Sequence, residues 1–180
     1  LRKMKPIGSL TVVTGSMFAG KSEELIRLTR RAQYAKKIVQ VFKPCLDTRF
    51  DKDRVVSHQG SKVDALPVKN VQEMRQRLDP AAHVVLIEEA QFFEMELVRF
   101  AQDLADSGIE VVVAGLDQDF RREPFGPMPS LLAIADEVVK LRAICMKCGA
   151  LASHTYRTID GKPAHWDDPV ILIGATESYE

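Results

Sequence analysis

Short apolar runs alternate along the chain with segments whose apolar residues recur every three or four positions. Leu10-Thr11-Val12-Val13-Thr14 is a β-branched run that ends at Gly15. Leu25, Leu28, Ala32 and Ala35 then mark one face of a helix starting near Lys21, with Glu23, Arg27, Arg30 and Arg31 on the other. The run 38–42 reads as a second strand, and a polar stretch with little apolar periodicity follows over 43–69, the profile of a long functional or mobile loop. Val71, Met74 and Leu78 predict a short helix. His83-Val84-Val85-Leu86-Ile87 is continuous enough for a strand buried on both faces. Leu97, Phe100, Ala101 and Leu104 mark a helix stopping near Gly108, before a buried strand over 109–114, a helix near 130–136 and a strand near 138–143. Strands alternating with amphipathic helices predict a mainly parallel sheet with helices on both faces. After Ala143 the pattern changes to Cys145-Met146-Lys147-Cys148-Gly149, an alternating segment through Tyr156, an Asp160-Gly161 turn signal and Trp166, which reads as a small β-rich appendage stapled by a metal. The expected division is 1–143 and 144–180.

Composition narrows the function classes. The 180 residues are 46% hydrophobic and 28% charged, ordinary for one globular domain with a small appendage. Twenty-five basic residues balance 25 acidic ones, which argues against nucleic acid or an acidic membrane as a partner, because such binding draws on excess cations. The longest apolar stretches, such as Val111-Val112-Val113-Ala114-Gly115-Leu116, fall well short of the roughly 18 residues that span a bilayer. Nothing resembles a signal peptide, and three cysteines suit a reducing compartment, so the expected location is the cytoplasm.

Two motifs carry chemistry. Gly15-Ser16-Met17-Phe18-Ala19-Gly20-Lys21-Ser22 matches G-x-x-x-x-G-K-[ST] in full, between a predicted strand and a predicted helix. The glycines let backbone N–H groups turn inward at a helix N-terminus, Lys21 supplies a point charge for β and γ phosphates, and the Ser22 hydroxyl suits Mg²⁺. A glycine turn capped by Ser22 is the bland alternative, but it does not require Lys21. Glu88 and Glu89 follow the run 84–87, so they are expected at the carboxyl end of a central strand beside the phosphate loop, where open α/β sheets bind ligands. Adjacent acids on a strand point apart, leaving one for Mg²⁺ and one for a substrate proton. Alone, the pair reads equally well as solvated glutamates at a helix start.

Several ordered blocks then give a family resemblance. They are residues 15–22, Lys43-Pro44 through Asp47-Thr48-Arg49-Phe50, Glu88-Glu89-Ala90-Gln91-Phe92-Phe93, Leu116-Asp117-Gln118-Asp119-Phe120-Arg121-Arg122-Glu123-Pro124-Phe125-Gly126, Cys145-Met146-Lys147-Cys148, and Ile173-Gly174-Ala175-Thr176-Glu177-Ser178-Tyr179. The chain resembles the type II, zinc-containing cytosolic thymidine kinases over nearly all of its length. The resemblance implies a P-loop, RecA-like parallel sheet with a C-terminal zinc-binding, lasso-bearing domain. It implies Mg-dependent transfer of the ATP γ-phosphoryl group to thymidine, with deoxyuridine as a second candidate acceptor, in nucleotide salvage.

By position, Glu89 becomes the general base, Lys21 and Arg49 act at the transferring phosphoryl group, and Gln91 joins the nucleotide-binding set with Glu88 and the loop. The first acid of the pair is usually Asp in that family. Here it is Glu88, whose extra methylene changes its reach to Mg²⁺. Met17, Phe92, Leu116, Phe120, Phe125 and Thr155 match walls of the nucleoside pocket, and Val170, Leu172, Gly174 and Tyr179 match the lasso. Cys145 and Cys148 are half of a zinc site, and the resemblance places the other ligand pair just beyond the lasso tyrosine, so the chain is expected to be truncated at residue 180. A homotetramer and feedback inhibition by thymidine triphosphate (dTTP) are also implied. The competing class is a P-loop ATPase or switch acting on a macromolecular partner, which the phosphate loop and acid pair alone do not exclude.

Overall fold

The structure, a computed structural model, describes residues 7–46, 54–56, 62–171 and 179. Six strands form one sheet in which every neighbouring pair is parallel: β1 (Ser9–Thr14), β2 (Val39–Pro44), β5 (Leu66–Val68), β6 (Val84–Ile87), β7 (Glu110–Gly115) and β8 (Glu137–Lys140), in the order β5-β2-β6-β7-β1-β8. Helices α1 (Lys21–Tyr34), α2 (Val71–Arg77), α3 (Glu96–Asp106) and α4 (Met128–Ile134) connect them.

The continuous apolar runs follow from burial on both faces. Val12, Phe42, Val85, Ile87, Val111 and Val113 lie in one core with residues of α2, α3 and α4, including Met74, Leu97, Phe100 and Leu131. Their strand neighbours Val13, Val41, Val84, Leu86, Val112 and Ala114 lie in the other, with Leu25 and Ile26 of α1. Side chains alternate across a strand, so a strand covered above and below needs apolar residues at every position. This is a P-loop-like α/β arrangement, and it positions the carboxyl ends of β1, β6 and β7 along one edge.

Two sequence expectations change. The polar stretch 43–69 is not one loop: it contains β3 (Arg54–Val56) paired antiparallel with β4 (Lys62–Asp64), and β5, which becomes an edge of the main sheet. Three-residue strands, one containing Pro67, are too short to display a period, and an edge position tolerates the missing proline N–H. The strand expected near 138–143 stops at Lys140, and Ala143–Ile144 (β9) instead pairs with Leu151–Ala152 (β10) around the Cys145–Cys148 turn. Thr158–Ile159 (β11) and Lys162–Pro163 (β12) form a hairpin about Asp160 and Gly161, whose φ values of 51° and 74° fit the two-residue turn that Asp-Gly favours. Among the described residues no helix is long and apolar enough to cross a membrane.

Candidate active site

The phosphate loop leaves β1 and enters α1 as expected. Gly15 has φ 144°, and a Cβ there would come within 2.5 Å of the Leu141 carbonyl oxygen, so the position requires glycine for backbone shape and for space. No side chain caps α1, whose N-cap is Gly20 in the left-handed conformation. The Ser22 hydroxyl donates to Glu88 Oε1 at 2.7 Å, which removes the capping alternative. Ser16 is buried, and its hydroxyl has no hydrogen-bond partner among the described residues. An orphaned hydroxyl beside uncapped helix N–H groups fits a bound phosphate. Lys21 Nζ donates to the Ser16 carbonyl at 2.8 Å. Burial pulls the Lys21 ammonium below its ordinary range, while Glu89, then Asp117, Glu88 and Glu23, push it back up. Met17, Phe18 and Ala19 span the loop tip, with Phe18 at φ 62°.

Glu88 and Glu89 emerge from β6, and β7 lies between that strand and β1. The acids therefore reach the loop across one intervening strand, and the Ser22–Glu88 hydrogen bond closes the gap. Glu88 is pushed up to about 7, mainly by burial and next by the adjacent Glu89 charge, against the Ser22 hydrogen bond and the Lys43 and Lys21 charges. A hydroxyl and a carboxylate in contact at the loop mouth are hard oxygen donors, the set that suits Mg²⁺.

Glu89 sits at φ 51°, ψ 43°, so the chain turns sharply into a short 3₁₀ segment at Ala90–Phe92. Gln91, only 3% exposed, donates from its side-chain amide to Glu89 Oε2 and accepts from the Leu116 N–H at 3.1 Å. A Cβ at Gly115 would lie 2.7 Å from Gln91 Oε1, so the approach of β7 to this side chain depends on glycine.

A cavity of about 190 Å³ opens beside Glu89. Its walls include all the described residues expected there from the sequence: Met17, Phe92, Leu116, Phe120, Phe125, Thr155, Val170 and Tyr179. Phe92 and Phe125 meet edge to face, with centroids 5.7 Å apart. The Thr155 hydroxyl accepts from the Met17 N–H at 3.1 Å, tying the C-terminal segment to the phosphate loop. Burial raises the Tyr179 phenol, opposed by Arg157 and reinforced by Glu89. Arg49, Leu172 and Gly174 lie outside the described residues.

Cys145 and Cys148 form a tight turn in which the Gly149 N–H donates to the Cys145 carbonyl at 2.8 Å. Hydrogen bonds from the Cys148 and Lys147 backbone to the Cys145 sulfur pull that thiol below its ordinary range, an arrangement that favours thiolate. The two sulfurs fit two positions of a tetrahedral zinc site. Among the described residues no group of three or more His, Cys, Asp or Glu comes together around them or elsewhere.

Sequence reasoning missed Asp117, buried at the end of β7, charge-coupled to Lys21 and paired with Lys140 at 2.8 Å. It also missed Leu46, Gln118 and Asp119 as cavity walls. Asp117 stood in the sequence only as part of the 116–126 block, an acid two residues past a buried strand with nothing to mark its partners.

A family model described as thymidine kinase matches residues 8–180. A solved structure described as an ATPase is similar over 88% of this chain and 72% of its own length, at 14% identity and a TM-score of 0.47.

Proposed function

Because the chain belongs to the thymidine kinase family, whose model spans residues 8–180, we propose that it transfers the γ-phosphoryl group of ATP to the 5′-hydroxyl of thymidine, giving thymidine monophosphate and ADP. The observation that carries this reading is the placement of Glu89. It lines the apolar cavity and directly follows Glu88, which is hydrogen-bonded to Ser22 of the phosphate loop. One carboxylate thus faces both a site for a flat, mainly apolar ring and a site for phosphates.

In this reading the pyrimidine occupies the cavity among Phe92, Phe125, Leu116 and Tyr179, with its sugar toward Glu89. Lys21 and N–H groups at the N-terminus of α1 hold the phosphates. Glu89 accepts the 5′-hydroxyl proton as that oxygen bonds to the γ phosphorus and the bond to the ADP oxygen breaks. Ser22 and Glu88 would hold Mg²⁺, which supplies charge neutralisation on the phosphate oxygens. Arg49 is assigned a cationic role at the transferring group, on the family resemblance alone. Gln91, assigned to the nucleotide-binding set by the family resemblance, also holds the Glu89 carboxylate and lines the same cavity.

The same proposal divides the chain into a nucleotide-binding unit over 1–143 and a knuckle and nucleoside-binding unit over 144–180. Cys145 and Cys148 supply two ligands to structural zinc. A homotetramer, feedback inhibition by dTTP and a cytoplasmic setting for nucleotide salvage belong to this reading through family membership.

Glu89→Ala tests the reading. Thymidine-dependent turnover should fall by about 10²-fold or more while ATP affinity stays within a factor of about two. Unchanged turnover would remove Glu89 from the chemistry.

A further inference from the structure

Against the Phe120 wall of the cavity lie two arginines that no part of the phosphoryl-transfer chemistry uses. Arg157 is 2% exposed, unusual for a guanidinium, which is costly to take out of water unless its donors and charge are met. Its guanidinium carbon lies 4.7 Å from the Phe120 ring centroid, and its Nη1 donates to the Pro169 carbonyl. Its backbone pairs with Tyr179 in an antiparallel bridge and accepts from the Ala164 N–H at 2.9 Å. Arg121 shares the same aromatic ring, 5.3 Å from the Phe120 centroid and 5.7 Å from that of Trp166, and its Nη2 donates to the Asp168 carbonyl at 2.8 Å.

These contacts converge on one piece of architecture. Phe120, Val170 and Tyr179 are cavity walls from three separate stretches of sequence. Arg157 touches the first through its ring face, holds the second through the carbonyl of the preceding residue, and meets the third along the backbone. A guanidinium presents its donors in a rigid plane while that plane stacks on an aromatic face, so one side chain can fix both the position and the orientation of its partners. A lysine has neither the plane nor the fork.

We propose that Arg157 is the positioning residue of the nucleoside pocket, setting the spacing of Phe120, Val170 and Tyr179, with Arg121 as its outer partner on the 168–169 backbone. The consequence for catalysis rests on the nucleoside-kinase reading; the positioning itself does not.

Two measurements on the whole protein test it, using Arg157→Met, Arg157→Lys and the milder Arg121→Gln, with the exposed Arg122→Gln as control. Hydrogen exchange, read without any substrate, should speed up in peptides covering 164–171 in both Arg157 variants and, less, in Arg121→Gln, with β1 and β6 unchanged. Steady-state kinetics should show the thymidine KM raised about tenfold in Arg157→Met and Arg157→Lys and about threefold in Arg121→Gln, with the ATP KM within about twofold of wild type. Arg122→Gln should change neither readout. Unchanged exchange over 164–171 overturns the positioning role whatever the substrate is. Faster exchange with an unchanged thymidine KM also overturns it, because the walls would then not depend on the residue. If Arg157→Met fails to fold, Arg121→Gln carries both tests. If the wild-type protein phosphorylates no nucleoside, the functional reading fails by itself, and exchange alone decides whether Arg157 orders the segment.

Discussion

Glu89 is a non-glycine residue in the left-handed region, a conformation that costs about 1–2 kcal/mol and persists only where its surroundings enforce it. Gln91 is the enforcing contact, since one amide group binds both the Glu89 carboxylate and the Leu116 backbone. Gln91→Leu keeps the volume and removes both hydrogen bonds, so kcat should drop about tenfold with little change in the ATP KM. A kcat within error of wild type would show that Glu89 is oriented by something else. Glu88 gives a pH prediction. Its carboxyl is raised from an ordinary 4.5 to about 7, so at low pH it is neutral in folded and unfolded chains and carries no cost. Between these values the unfolded chain releases the proton while the folded one keeps it, so stability falls as pH rises, and the full cost persists above about 7. In protein free of divalent cations, Glu88→Gln should therefore raise Tm at pH 8 and lose that advantage toward pH 4.5. A Tm difference independent of pH would contradict the raised carboxyl. The motif residues were readable from sequence because their chemistry is local: a lysine after Gly20 and two acids after an apolar run. Asp117 and Arg157 were not, because a single acid or arginine acquires its meaning only from partners distant in sequence, here Lys140 and Pro169.

At the scale of elements, the strands buried on both faces announced themselves, since Val84–Ile87 and Glu110–Gly115 admit apolar residues at nearly every position. Helix α3 did so through Leu97, Phe100, Ala101 and Leu104, all of which are buried. What failed was length. Strand β5 is three residues at a sheet edge, and no periodicity survives in three residues. Short two-residue pairings such as β9 with β10 were visible only through the cysteine turn that they flank. That turn makes its own prediction. With backbone N–H groups already aimed at the Cys145 sulfur, the pair should bind a thiophilic ion as thiolates. Cobalt(II) titration of the reduced protein should give a thiolate-to-cobalt absorption band that Cys148→Ser loses. A band of equal intensity in the variant would place the metal elsewhere.

For the molecule as a whole, strand order was the property least available from sequence. Hydrophobic pattern specifies that a strand is buried, not which strand lies beside it, and nothing in the runs 84–87 and 109–114 says that β7 separates the acid-bearing strand from the phosphate-loop strand. The consequence is a cleft across the carboxyl ends of β1 and β6, bridged by the Ser22–Glu88 hydrogen bond. Lys21 approaches from one side, Glu88 and Glu89 from the other, and the cavity walls close the end. Net charge is zero, so anion binding here depends on a few placed groups rather than on a general positive field. Such a cleft can serve transfer between two bound molecules or hydrolysis driven by one, and the fate of the γ-phosphoryl group separates them. With ATP labelled in that group, the label should appear on the 5′-oxygen of thymidine, one ADP should form per thymidine monophosphate, and little ADP should form without nucleoside. Release of the label as free phosphate in the absence of thymidine, stimulated by a protein or polynucleotide, would contradict a nucleoside kinase.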